Sequence, residues 1–188
     1  MNSTDALLAI SVSFLHMLNH LGTIENNSNT NSYVNLALDL IESSKVIILN
    51  GHGSWNSITV NEPPQKFLHN TDIYSSPNTH ADLSDIDIVI FAGCSTAASP
   101  SEGMTGYSIT QSAGFAGAKV AIGWATKQFD NQMNDWIDKF FTYLFTLNPG
   151  TGELFTAEEA FEEANDSCTN EARNSVMYGT QQIFSFNN

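Results

Sequence analysis

Two short apolar runs set the limits on how this chain can fold. One is Val46-Ile47-Ile48-Leu49 and the other is Ile86-Asp87-Ile88-Val89-Ile90-Phe91. Nearly continuous β-branched and apolar stretches of this length suit strands buried on both faces of a parallel sheet. Each run leads straight into small, chemically capable residues. The first enters Asn50-Gly51-His52-Gly53-Ser54 and the second enters Ala92-Gly93-Cys94-Ser95-Thr96. In parallel sheets the reactive groups gather at the carboxyl ends of the strands. If these two strands are parallel neighbours, His52 and Cys94 leave the same edge. An imidazole beside a thiol is what nucleophilic catalysis by cysteine needs, because the base strips the thiol to the attacking thiolate.

The remaining pattern alternates helix and strand. Residues Asp5 to Leu21 read as a helix with a loose apolar face, and a strand over Ala6–Phe14 competes with it. Asn26 to Asn31 is a polar loop, and a helix follows from Ser32 with Tyr33, Leu36, Ala37, Leu40 and Ile41 on one stripe. Ser54 to Asp85 reads as the longest irregular stretch and as one wall of a cleft, with Ser57–Val60 a short hairpin strand and Pro63-Pro64 stopping any regular element. Asp82, Asp85 and Asp87 solvate the start of the next strand. A helix near Tyr107–Ala116 is ended by Gly117, before a strand over Ala118–Trp124. The loop Ala125 to Asp130 then leaves the reactive edge. Helix Asn131–Leu147 is the clearest amphipathic element, with Met133, Trp136, Ile137, Phe140, Phe141 and Leu144 on one face. Thr156 and Glu159 form a capping box for a last helix. Its apolar stripe carries Ala160, Ala164 and Cys168, which makes Cys168 a core thiol. A short strand near Gln182–Phe186 closes the chain. The expected fold is α/β, a three-layer α/β/α sandwich with a mostly parallel sheet. It forms one domain over 1–188, either a whole protein or a module of a larger one.

The order "apolar strand, His-Gly, about forty residues, apolar strand, Cys" resembles the caspase-like cysteine peptidases, the group of caspases, separases, gingipains and CHAT domains. Gly114-Phe115-Ala116-Gly117-Ala118-Lys119-Val120-Ala121-Ile122-Gly123-Trp124 is similar to the helix–Gly–strand unit after the Cys in CHAT and gingipain-like domains. Tyr178-Gly179-Thr180-Gln181-Gln182-Ile183-Phe184 looks like their closing strand. The resemblance runs from about Ser32 to Asn188. It implies a caspase-like sandwich and a cysteine endopeptidase with a Cys94/His52 dyad and a thioester acyl-enzyme. It also implies an oxyanion held by the N–H groups of Gly53 and Cys94. A glycine after the His lets the backbone approach the tetrahedral oxygen closely. No metal or organic cofactor is implied, and the partner is a protein or peptide substrate.

Charge and cysteine usage narrow the alternatives. With 20 acids against 6 Lys and Arg, the net charge of −14 argues against nucleic acid or an anionic membrane as partner. Ala6 to Leu18 imitates a short signal core but has no basic segment before it, and no run approaches the roughly 20 apolar residues of a membrane helix. Two cysteines make no disulfide framework, which points to a reducing, cytoplasmic compartment. His16 and His20 lie four apart, yet Met17 stands where the zinc motif H-E-x-x-H needs Glu. They read as ordinary helix histidines, and His69 and His80 as surface residues.

Other readings of the reactive residues are possible. Cys94 alone would read as a buried core thiol and His52 alone as a turn residue. Gly93-Cys94-Ser95-Thr96-Ala97 also resembles a degenerate nucleophile elbow with Ser95 as nucleophile, but that arrangement needs a late His and none follows His80. The competing function is a non-catalytic interaction module that keeps the fold. For specificity, a pocket for acidic side chains needs arginines, and only Arg173 is present. Asp130 is the best-placed acid for a basic side chain, with Trp124, Thr126 and Gln128 lining the same pocket. The sequence leaves oligomeric state open.

Overall fold

The computed structural model describes residues 38, 45–61, 66–76, 79–100, 102, 105–168 and 174–179. Its strands are β1 (Val46–Asn50), β2 (Gly53–Ser54), β3 (Ser57–Asn61), β4 (Lys66–His69), β5 (Tyr74–Ser76), β6 (Thr79–His80), β7 (Ile88–Ala92), β8 (Val120–Trp124) and β9 (Ser175–Tyr178). The helices, numbered here in chain order, are α1 (Asn70–Ile73), α2 (Ile109–Phe115), α3 (Asp130–Leu144) and α4 (Ala157–Ser167). The central sheet has the order β1-β7-β8-β9. β1, β7 and β8 run parallel and β9 is antiparallel. All five residues of both β7 and β8 are buried, as two-sided coverage requires.

Alternation along β7 and β8 divides the core into two clusters. Ile88, Ile90, Ile122 and Trp124 face the aromatic side of α3 and the alanines of α4. Val89, Phe91 and Ala121 face α2 and join Ile47 and Leu49 of β1. The result is an α/β/α arrangement with a mostly parallel sheet, as the sequence pattern predicts. Trp136 is the centre of the first cluster: it stacks on Phe140 at 5.3 Å and meets Trp124 edge-on at 5.6 Å. Its Nε1 donates to Asn165 at 2.7 Å, so the buried indole is satisfied.

Several boundaries move, each for a local reason. α2 begins at Ile109 because Ser108 caps it and the Gln111 side chain returns to the Ser108 N–H. α3 ends at Leu144 rather than Leu147, because Leu147 bridges to Leu154 across the Asn148–Gly150 turn. The capping box of Thr156 and Glu159 is present. Gly117 terminates the α2 turn with φ +110°. The stretch from Ser54 to Asp85 is far from irregular: it holds β2 to β6 and α1, with β2-β3-β4 forming a second, antiparallel sheet. The hairpin strand expected over Ser57–Val60 is β3, while the other short strands, with their mixed polar residues, give no sustained period for a sequence reading to catch. Asp85 and Asp87 pair with Lys45 and Lys119 instead of only meeting solvent.

The helix or strand expected over residues 5–21, with His16 and His20, lies outside the described residues, as do Arg173 and the strand expected near Gln182–Phe186. The closing strand that is described, β9, comes earlier. Of the helix expected from Ser32, Leu38 is described; it is helical and packs on the second cluster. Among the described residues no helix is long and apolar enough to cross a membrane.

Candidate functional site

β1 and β7 pair in parallel with Asn50 opposite Ala92. His52 and Cys94 therefore each lie two residues past the paired ends of adjacent strands, at one edge of the sheet. The Gly51 N–H continues the ladder by donating to the Ala92 carbonyl at 3.2 Å. Beyond that point the two loops pack backbone against backbone. A β-carbon on Gly53 would come within 2.7 Å of the Cys94 carbonyl oxygen, and one on Gly93 within 2.8 Å of the Gly51 oxygen. Only glycine fits this approach, so both glycines are needed to close the loops on each other.

The His52–Gly53 peptide is fixed from the far side. Thr59 donates to the His52 carbonyl twice, through its N–H at 2.8 Å and its Oγ1 at 3.0 Å. The first of these bonds flanks the Gly53–Ile58 pair, which makes that pair the non-hydrogen-bonded kind. The Gly53 N–H is thus turned away from β3. The His52 side chain is exposed.

Cys94 is half-buried. Its Sγ lies 3.4 Å from both the N–H and the carbonyl oxygen of Gln128, so the backbone of the 125–129 loop spans the thiol. The next residue, Ser95, has φ +59°. That left-handed conformation costs a non-glycine residue roughly 1–2 kcal/mol, and its N–H is held by the Thr126 carbonyl at 3.0 Å.

Thr96 underpins this turn and was not singled out by sequence. It is wholly buried. Its Oγ1 lies 2.9 Å from the Phe91 carbonyl and 3.1 Å from that of Gly93, and it accepts the Trp124 N–H at 3.2 Å. Its own carbonyl accepts from Thr110 Oγ1 at 2.9 Å. Gly123 faces both threonines, and a β-carbon there would collide with the Thr110 hydroxyl. The only sequence signal was a threonine two residues after the Cys, which carries no mark of its partners.

No family model and no curated protein matches this chain. Solved structures do. Two crystal structures of the Saccharomyces cerevisiae separase–securin complex overlap it, the 3.0 Å structure with TM-score 0.45, 15% identity and 78% of this chain, and the 2.6 Å structure with TM-score 0.49, 14% identity and 91% of this chain. The overlap spans only 9% and 11% of those chains.

The four residues expected to line a substrate pocket separate. Trp124 is fully buried and packs edge-on against Trp136, so it belongs to the core and not to an open wall. Alternation on β8 turns it to the face covered by α3 and α4. Gln128 is 8% exposed, with its Nε2 donating to Thr126 Oγ1 at 3.0 Å. It covers the thiol. Thr126 and Asp130 are exposed on the same loop and at the start of α3. Cys168 lies at the end of α4 beside Lys139 and Asp135, at 3.6 Å and 3.7 Å. Burial, with Asp135 beside it, pushes its thiol above the ordinary value against the pull of Lys139. His69 is exposed and precedes α1.

Proposed function

We propose that this chain is a cysteine endopeptidase of the caspase-like type. Cys94 Sγ attacks the scissile carbonyl carbon while His52 takes the thiol proton. The tetrahedral oxyanion is held by the N–H groups of Gly53 and Cys94. Its collapse forms a thioester and expels the amine, to which His52 returns the proton. Water activated by His52 then hydrolyses the thioester. The observation that supports this reading best is the placement of His52 and Cys94 two residues beyond an aligned pair on adjacent parallel strands. The orientation of the Gly53 N–H away from β3 adds to it. Thr126 and Asp130, on the exposed part of the neighbouring loop, are the candidates for contacting substrate, with Gln128 displaced on binding.

Hydrolysis of a mixed fluorogenic peptide library tests this proposal. Wild type should cleave, and Cys94→Ala and His52→Ala should each reduce turnover to background with unchanged circular dichroism. Full activity in either variant would rule out the dyad. A second reading, a non-catalytic interaction module, draws on the contact of the thiol with the Gln128 backbone. It predicts no turnover from any peptide.

A further inference from the structure

The two peptides that flank Gln128 both touch the Cys94 sulfur. Sγ donates to the Gln128 carbonyl at 3.4 Å and accepts from the Gln128 N–H at the same distance. Attack on a substrate needs a carbonyl carbon about 3–3.5 Å from the sulfur with its orbitals aligned. On this side of the thiol that distance is already taken by the chain's own peptide atoms. The thiol hydrogen is directed at the Gln128 carbonyl, so the proton that a base must remove is engaged there.

The segment over the thiol is pinned at both ends. The Ser95 N–H holds the Thr126 carbonyl at 3.0 Å, and the Phe129 carbonyl accepts the N–H groups of Gln132 at 2.9 Å and Met133 at 3.1 Å. Lys127 and Gln128 bridge these anchors. Thr126, Lys127 and Phe129 are exposed, and Gln128 alone of the four is buried. Its amide is incompletely satisfied. Nε2 donates to Thr126 Oγ1 at 3.0 Å, but the buried Oε1 has no partner among the described residues. Turning the amide over only moves the deficit to Nε2. A buried polar atom without a partner is unfavourable, and water satisfies it once the side chain swings out. The buried aliphatic stem keeps the segment shut while the amide biases it toward opening.

We propose that residues 126–129 form an autoinhibitory strap over Cys94. Closed, the strap keeps substrate from the sulfur; open, Lys127 and Gln128 swing outward between the two anchors and uncover it. Resting activity is scaled down by the fraction of molecules with the strap open. This inference rests on the reading of Cys94 as the nucleophile and adds a gate to it.

The test is the rate of Cys94 alkylation by iodoacetamide on the full chain near neutral pH, read by peptide mass. Cys168 in the same molecule reports any general loosening. Two uncharged substitutions should move the Cys94 rate in opposite directions. Gln128→Met keeps the length of the side chain and removes the unsatisfied amide, so the strap closes more tightly and labelling slows at least about fivefold. Gln128→Gly removes the buried stem and frees the backbone, so labelling quickens at least about tenfold. Cys168 should keep its rate in both, and peptide turnover should rank glycine above wild type above methionine. A Cys94 rate unchanged in both variants would overturn the strap, even with peptide turnover intact. Equal acceleration of both thiols by Gln128→Gly would overturn it too, because the whole fold and not the strap would then be opening. Labelling in the expected order with no turnover by any of the three proteins would keep the strap and remove the peptidase reading instead.

Discussion

Thr96→Val tests how the reactive turn is held. Valine keeps the volume and branching of threonine, so packing at this wholly buried position is preserved and only the hydroxyl is lost. The hydroxyl serves the Phe91 or Gly93 carbonyl as donor and the Trp124 N–H as acceptor. Losing the donated bond costs about 0.5–1.5 kcal/mol, and leaving a buried N–H without an acceptor costs about 1–3 kcal/mol. The sum is about 1.5–4.5 kcal/mol. For a domain of this size that lowers Tm by about 3–18 °C. Urea unfolding followed by tryptophan fluorescence reads the loss directly, since Trp124 and Trp136 share the core. The same variant should alkylate more slowly at Cys94 under native conditions, because the turn that presents the thiol loses its anchor. A loss under about 0.5 kcal/mol with an unchanged denaturant slope would refute the assignment of Thr96 as the buried support of this turn.

Three further outcomes follow from the geometry. Gly53→Ala should abolish peptide turnover and lower stability, because the added methyl meets backbone atoms of Gly93 and Cys94, which cannot rotate away; unchanged turnover would show that the two loops do not need this approach. Of the two thiols, a mild disulfide reagent near neutral pH should modify Cys94 rapidly and Cys168 slowly, because burial raises the Cys168 thiol and depletes its thiolate; faster labelling of Cys168 would contradict the burial. Glu159 is held below its ordinary value of 4.5 by hydrogen bonds from the Thr156 N–H, then from the Thr156 hydroxyl. A depressed carboxylate contributes stability that is present above its unfolded value and lost as pH falls through the folded one. Wild type should therefore lose stability relative to Glu159→Gln on acidification from about pH 5 downward, and parallel pH curves would rule out this cap as a source of acid sensitivity.

The elements legible in the sequence were those whose signal is local and repeated. β1, β7 and β8 are short, almost wholly apolar runs, mostly β-branched in β1 and β7, and α3 carries six buried residues on one helical stripe. Thr156 and Glu159 reveal a helix start because a capping box involves residues only three apart. His52 and Cys94 were visible because each directly follows such a run. What the sequence concealed depends on contacts between distant residues. Thr96 meets Thr110 and Trp124 only after α2 and β8 are in place. Gln128 reads as a polar loop residue, and nothing in its neighbours announces that its backbone spans Cys94. Trp124 was misplaced because inward and outward positions on a doubly buried strand look alike in sequence. Of the small sheet β2-β3-β4, the sequence marks only β3, as the hairpin strand over Ser57–Val60; β2 and β4, of two and four mixed residues, establish no period.

The central claim is that Cys94 is a nucleophile served by His52, and intact mass after treatment with peptidyl acyloxymethyl ketones tests it most directly. Probes with basic and with acidic terminal residues are applied to wild type, Cys94→Ala and His52→Ala. The account predicts one adduct on wild type, mapped to Cys94 by peptide digestion, none on Cys94→Ala, and greatly slowed labelling of His52→Ala. An adduct that persists in Cys94→Ala, or equally fast labelling without His52, would contradict it.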